Sequence, residues 1–583
     1  MDDARKPTAP IKGRGAASRI AGRFEQTVAV GEDDGWGSVY EDLGEEAPRP
    51  ATTVTEERAR TIVSHNQSPD VGFSQSINPY RGCEHGCVYC FARPSHAFLE
   101  LSPGLDFETK LFAKTNAVER LRAELAKPGH VPSPIALATW IVLQKREPIA
   151  TLSWVLSLAA LPVVGFLVYH FLGPRRIDRQ RLQRARARQR LASALPDDLI
   201  RDDDCETVAR LAQSTTQFAP STATRVDLLI GGAAAYDALL AAIAAATHHV
   251  HLEFYIFADE HTGTVVRDAL AERAAAGVRV RLLLDAIGSA GARGTFLEPL
   301  RAAGAEIAWF HPPKLRFLWR PRLNLRNHRK LVVVDGRVAF TGGINVTDDQ
   351  DERVKADAFH DLQLAIEGDV VRWLQLVFLE DWSYAAGTAV RDRSFWAPPR
   401  EGPIVAQAVP SGPDSPWEAL HRVHVEAIHQ ADRRVWLVTP YFVPGEAARM
   451  ALTSAALRGL DVRVIVPVRG DSAVVTAAAR SYFDGLVEAG VRVFEYQPRM
   501  LHGKALLVDD TTCLIGTANF DPRSFKLNFE LALLVDDRDL ARRLEREMLD
   551  NIASATEVRA GAPKPPFARR LAEAWARLLS PLL

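Results

Sequence analysis

Two stretches of this chain, NHRKLVVVDGRVAFTGGIN and LHGKALLVDDTTCLIGTAN, carry the same polar residues at the same spacing. The first holds His328, Lys330, Asp335 and Asn345; the second holds His502, Lys504, Asp509 and Asn519. The segments upstream repeat as well. Val250–Phe257 (VHLEFYIF) echoes Val435–Phe442 (VWLVTPYF), Gly277–Leu284 (GVRVRLLL) echoes Gly459–Val466 (GLDVRVIV), and Ala303–Phe310 (AGAEIAWF) echoes Ala489–Tyr496 (AGVRVFEY). Each half alternates apolar strands with Ala/Leu/Arg helices such as Val265–Ala275. That order restricts the chain to two similar α/β sandwich units with largely buried central strands. Two like halves predict a pseudo-two-fold pair with one site shared between them.

The spacing has a chemical reading. LVVVD and ALLVD are apolar strand cores, and residues two apart on a strand share a face. Histidine and lysine of each half therefore point into one cleft. The turn after each aspartate sends the chain back as a second strand ending in Gly342-Gly343 or Gly516-Thr517, where small side chains let the backbone approach a ligand. Asn345 and Asn519 then stand beside the lysines as donors. Two imidazoles, two ammoniums and two amides suit a phosphodiester: cations and amides stabilise its oxygens, one histidine attacks phosphorus and the other protonates the leaving alkoxide. An interleaved lysine in each half opposes a metal cation, so the reading needs no catalytic metal or other cofactor. Asp335 and Asp509 count as candidate catalytic residues, although their strand-end position suits a structural role equally well.

The duplicated motif resembles that of the phospholipase D superfamily over roughly residues 140–583. Finer features are similar to cardiolipin synthases: Thr439-Pro440-Tyr441-Phe442-Val443-Pro444, Ser481-Tyr482-Phe483, Tyr496-Gln497-Pro498, and Phe520-Asp521-Pro522-Arg523-Ser524-Phe525 leading to Asn528-Phe529-Glu530. The resemblance implies that a phosphatidyl group passes to a histidine and then to the hydroxyl of a second phosphatidylglycerol, giving cardiolipin and glycerol. It implies His328 as nucleophile and His502 as acid and base; the residues alone leave the order open. It also implies that Asp361 and Glu530 orient the histidines.

Ile149–Leu172 runs without Asp, Glu, Lys or Arg. At about 1.5 Å per residue such a stretch crosses a hydrocarbon core roughly 30 Å thick. Eight arginines between positions 175 and 190 follow it, which predicts a helix in a bacterial inner membrane with the catalytic part on the cytoplasmic side, near anionic lipid. A net charge of −1 leaves no bulk footprint for nucleic acid. Together with the span it argues against a nuclease of the same superfamily. A hydrolase using water as acceptor is the nearest rival, and an inactive membrane scaffold with an iron–sulfur appendage is the rival from another class.

Upstream, INPYRGCEHGCVYCFARPSH places Cys83, Cys87 and Cys90 close together with Tyr89 before the last. This resembles the cluster loop of radical S-adenosylmethionine enzymes and implies three thiolates for a [4Fe–4S] cluster. The resemblance stops near Thr139, short of a full barrel. The chain thus divides into a disordered start (1–65), this truncated segment (66–139), the span and its basic flank (140–195), two repeats (196–395 and 396–552) and an amphipathic tail (553–583). The tail suits packing on the domain or lying on a bilayer.

Overall fold

The computed structural model describes residues 52–65, 75–83, 93–102, 105–125, 152, 155–156, 196, 207–312, 325–388, 390, 392–415, 417–561 and 566–580. They fall in two compact units, Met1–Leu167 and Val168–Leu583. In the first unit, the strand Thr53–Glu57 pairs in parallel with Lys110–Lys114, which pairs in turn with Tyr80–Arg81. The disorder expected to residue 65 does not hold for Thr53–Glu57, where a β-branched run finds a partner strand. The helix expected near Ala117 spans Ala117–Leu125. Cys83 is exposed; Cys87 and Cys90 lie outside the described residues. So does the expected span, apart from Leu152, Val155 and Leu156, and no described helix is long and apolar enough to cross a membrane.

The second unit holds the two repeats. The first contributes β1 Arg225–Ile230, β2 His249–Phe254, β3 Arg279–Asp285, β4 Glu306–Phe310, β5 Leu331–Val334, β6 Val338–Gly342 and β7 Leu362–Glu367. The second contributes β8 Ile404–Ser411, β9 Arg434–Val438, β10 Asp461–Pro467, β11 Arg492–Tyr496, β12 Ala505–Val508, β13 Thr512–Gly516, β14 Glu530–Asp536 and β15 Ala555–Val558. The first sheet has the order β4-β3-β2-β5-β6-β7-β1. The second has β11-β10-β9-β12-β13-β14-β8, with β15 at one edge and the short strand Ser221–Ala223 at the other. The shared order, parallel from β2 to β4 and from β9 to β11, is the duplication seen in three dimensions. Even the register repeats: Leu331 faces Thr341 and Ala505 faces Ile515, so each residue three after a motif histidine pairs with the one thirteen after it.

The domain boundary needs one correction. Ser221–Ala223 pairs with β8, and the helix Thr207–Thr216 packs Ala212 into the core of the second repeat. Gln407 of β8 donates to the carbonyls of Ala209 and Phe218. Residues 207–223 therefore belong structurally to the second repeat, and β15 extends that repeat beyond 552.

Two helices lie between the sheets. α1, Val370–Ala386, starts just after Gly368 and stops at Gly387, whose left-handed φ of 77° lets its N–H return to the Ser383 carbonyl. It is buried nearly all round, as a helix wedged between two layers must be. α2, Arg538–Ala553, begins at Asp537, whose carboxylate caps the Leu540 N–H, and buries Leu540, Leu544 and Met548. These join Trp373 and Phe378 of α1, Leu331 of β5 and Leu507 of β12 in one apolar cluster that bridges the repeats. Truncating Phe378 to alanine there costs about 3–5 kcal/mol.

At the far end of each motif strand sits its aspartate. Asp335 (φ 53°) and Asp509 (φ 51°) turn the hairpins β5–β6 and β12–β13. Asp335 accepts from the backbone N–H groups of Thr247, His248 and His249 and from Thr247 Oγ1, at 2.8–2.9 Å. Asp509 accepts from Asp432, Arg433 and Arg434 N–H at 2.8–3.1 Å. Each carboxylate thus fastens the chain entering β2 or β9. Asp335→Ala or Asp509→Ala should lower stability by about 1.5–3 kcal/mol, the scale of hydrogen bonds to a charged group. Activity per folded molecule should persist. Denaturant melts combined with turnover of the folded fraction check both parts.

Candidate active site

His328 and Lys330 stand in the lead-in to β5, and His502 and Lys504 in the lead-in to β12. What fixes these lead-ins is pairing across the repeats. Asn327 bridges Phe529 and His360 bridges Leu501, both in parallel. His328 N–H donates to the Phe529 carbonyl (2.9 Å), and His502 N–H to that of His360 (2.7 Å). The next residues in the partner segments are Glu530 and Asp361. Each carboxylate is therefore delivered to the histidine of the other repeat.

The contacts follow. His328 Nδ1 lies 3.0 Å from Glu530 Oε2, and His502 Nδ1 lies 2.5 Å from Asp361 Oδ2. A carboxylate on Nδ1 holds a proton there, so each ring gains or loses its second proton at Nε2. The carboxylates are themselves held. Glu530 accepts from Thr517 Oγ1 (2.5 Å) and Asn528 Nδ2 (3.1 Å). Asp361 accepts from Gln350 Nε2 (2.7 Å) and the Leu362 N–H (2.8 Å). The repeats solve the same problem differently: Thr517 occupies the place of Gly343, where a Cβ would come within 2.0 Å of Asp361 Oδ1. The small residues expected to open the backbone to a ligand instead make room inside the fold. A Cβ on Gly342 would meet the Leu362 carbonyl at 2.5 Å, and one on Gly516 that of Leu531 at 2.3 Å.

Both lysines are buried and bend back on their own motif. Lys330 Nζ donates to the His328 carbonyl at 2.8 Å. Lys504 Nζ donates to the His502 carbonyl and lies 2.9 Å from His502 Nδ1. Burial pushes Lys330 down to about 7 and Lys504 to about 8. Burial also pushes His328 down to about 4, with Glu530 opposing and both lysines reinforcing the fall. His502 is lowered too, by burial and by Lys504. Against burial, Glu530 is held below the usual carboxylate range by His328 and Lys330, and Asp361 by Lys504 and His502. Lys504 acts on His328 and Lys330 on His502, so the two half-sites form one electrostatic unit.

The chain was compared with known proteins. The family described as "Cardiolipin synthase, PLD-like domain" matches residues 239–382 and 424–552, and one described as "Phospholipase_D-nuclease N-terminal" matches 134–174. The cardiolipin synthase of Geobacillus kaustophilus is 38% identical over 77% of this chain and 92% of its own. The chain belongs to the cardiolipin synthase family. Cardiolipin synthase 2 of Bacillus anthracis is 36% identical over 76% of this chain and 88% of its own. The phosphatidylserine synthase structure from Haemophilus influenzae superposes with a TM-score of 0.50 at 15% identity, over 65% of this chain and all of that one, which is a likeness of fold.

In this member of the cardiolipin synthase family the structure gathers His328, Lys330, His502, Lys504, Asp361 and Glu530. It keeps Asp335 and Asp509 away from them, committed to backbone amides at the opposite strand ends. Asn345 and Asn519 occupy matching loops with different duties. Asn345 Oδ1 accepts from the Ile256 N–H (3.1 Å), whereas Asn519 Oδ1 is buried with no hydrogen-bond partner among the described residues. The sequence gives no sign of Gln350, marks Thr517 only as a small residue and Tyr441 only as part of the Thr439–Pro444 signature. Tyr255 lies 5.0 Å from the His328 ring and Tyr441 6.5 Å from the His502 ring. Both tyrosines follow the echoed strands β2 and β9, a further signal that pointed to them.

Arg329, between His328 and Lys330, faces the other way. It donates to the Glu530 carbonyl (3.0 Å) and the Ser411 carbonyl (3.2 Å) and pairs with Asp381 of α1. The crossed arrangement makes a sharp prediction. In double-mutant cycles on unfolding free energy, His328→Ala with Glu530→Gln, and His502→Ala with Asp361→Asn, should couple by about 0.5–3 kcal/mol. The same-repeat combination of His328→Ala with Asp361→Asn, which share no hydrogen bond, should couple more weakly than either crossed pair.

Proposed function

We propose that the two half-sites together move a phosphatidyl group from one phosphatidylglycerol to another through a phosphohistidine. The observation that carries this is the pair of buried histidines, each with a carboxylate from the opposite repeat and a lysine beside it. Lys330, Lys504, Asn345 and Asn519 bind the phosphodiester oxygens; an arriving anion raises the depressed lysine pKa values and keeps both ammoniums charged. His328 Nε2 attacks phosphorus, the P–O bond to glycerol breaks, and the glycerol oxygen takes a proton from His502. The hydroxyl of a second phosphatidylglycerol then returns a proton to His502 as its oxygen bonds to phosphorus and the P–N bond breaks. The depression of His328 to about 4 suits this role, since a nucleophile must be neutral to attack. Asp361 stabilises the His502 imidazolium.

The membrane is the natural place for such a substrate. The apolar stretch Ile149–Leu172 supports anchoring there, and the arginines after it support a cytoplasmic catalytic domain. The loop of Cys83, Cys87 and Cys90 is read as the remnant of a radical-enzyme segment. Three thiolates are the donor set a [4Fe–4S] cluster takes, but no step above passes through it.

Lipid analysis after expression in bacteria lacking cardiolipin tests the function: cardiolipin should appear with the wild type. His328→Ala and His502→Ala should each lower turnover by at least about a thousandfold, because they act in one coupled mechanism. If both kept a tenth of the activity or more, the two-histidine scheme would fail. Activity should survive exhaustive EDTA treatment; loss restored only by one divalent ion would contradict it. Removing residues 1–139 should leave cardiolipin formation per membrane-inserted molecule unchanged, and an inserted but silent enzyme would make those residues part of the catalyst.

A further inference from the structure

The last described helix, α3 (Phe567–Leu578), is seated with its apolar face outward. It meets the second repeat through a narrow stripe: Ala576 and Ser580 are buried and Glu573 half-buried. Ala576 packs with Val443 and Ala478. Ser580 Oγ lies 2.9 Å from Tyr482 Oη, and Arg577 donates to the Ser481 carbonyl (3.3 Å) with its guanidinium 4.5 Å from the Tyr482 ring centre. Its large side chains stay in solvent: Phe567 is 75% exposed, Leu571 45%, Trp575 64% and Leu578 69%. At about 100° per residue these four share one face, turned away from the Glu573–Ala576–Ser580 stripe. Apolar surface of this kind on the outside of a fold marks a contact yet to be made.

We infer that this face of α3 lies in the interface of an anionic phospholipid bilayer and holds the cleft against it. Charge selects this occupant. The helix carries Arg569, Arg570 and Arg577 against Glu573 alone, and Glu573 is already paired with Arg569 at 3.0 Å. The arginines left over, 570 and 577, border the apolar face, the arrangement of an interfacial amphipathic helix. A second copy on this face would bring those arginines against their own kind. Location agrees. Val443, under Ala576, is two residues from Tyr441, whose ring stands 6.5 Å from that of His502. The helix is therefore tied to the segment that walls the cleft, where a lipid drawn from a bilayer would enter. The inference rests on the phosphatidyl-transfer reading and adds the surface through which the enzyme meets its substrate.

The test uses the full chain reconstituted in phosphatidylcholine bilayers, as wild type and as the triple variant Leu571→Asp, Trp575→Asp, Leu578→Asp. Phosphatidylglycerol is supplied either as a long-chain component of the bilayer or as the dihexanoyl lipid below its micelle concentration. The variant should lose about ten-fold in turnover of the bilayer-borne lipid, as expected when several interfacial side chains are removed. It should match the wild type on the soluble one. Equal activity on both substrates would overturn the inference. So would loss on both, which would mean that the face supports the active site, and so would a change in oligomeric state that tracks the activity, which would make the face a contact between copies. If the wild type made no cardiolipin from either lipid, the function itself would fall, a result separate from all of these.

Discussion

Each cleft histidine takes its carboxylate from the other repeat, and the rest of the site depends on that exchange. The bridges Asn327–Phe529 and His360–Leu501 lay the motif of one repeat alongside the carboxylate-bearing segment of the other. Neither repeat is complete without its partner: His328 alone has no Glu530, and His502 alone has no Asp361. The apolar cluster around α1 and α2 serves this geometry, since any slip between the sheets would pull a carboxylate from an imidazole. Arg329 adds a lock by joining the first motif to Glu530, Ser411 and Asp381 together.

Burial makes the exchange matter electrostatically. Lys330, Lys504, Asp361 and Glu530 sit in surroundings where an isolated charge is costly and pairs of opposite sign are needed. Two carboxylates and two lysines meet that need. The same burial lowers both histidines, which favours the neutral imidazole that His328 needs, and lowers the lysines, so an arriving phosphate anion finds a site that gains by binding it. Approach of the substrate thereby completes the charge pattern that the fold prepares.

Much of this was legible in the sequence because the duplication repeats chemistry at fixed spacing. Two matched copies of His, Lys, Asp and Asn announce a shared site, and the echoed strands announce two like α/β units. Where the reading stopped, the reason is physical. The aspartates travel with the histidines in sequence, but a strand of four residues separates them in space, and backbone amides hold them there. The crossing of Asp361 and Glu530 is a matter of tertiary pairing, which spacing within a repeat does not encode. Gln350 and the carboxylate-holding role of Thr517 escaped notice because the repeats use different residues for one task, and Gly343 had its partner in a side chain eighteen positions on. Two elements before residue 223 gave no local signal: Thr53–Glu57 forms a strand by pairing with Lys110–Lys114, and Thr207–Thr216 reaches forward to the second repeat.

The central claim is that both repeats serve one covalent reaction, with His328 carrying the lipid and His502 releasing it. Phosphatidylglycerol labelled in its phosphate, mixed with the wild-type protein and quenched rapidly in alkali, tests this most directly. The account predicts an acid-labile phosphatidyl group on the peptide that contains His328, absent from the His328→Ala protein. No covalent lipid at all, or one that persists without His328, would contradict it.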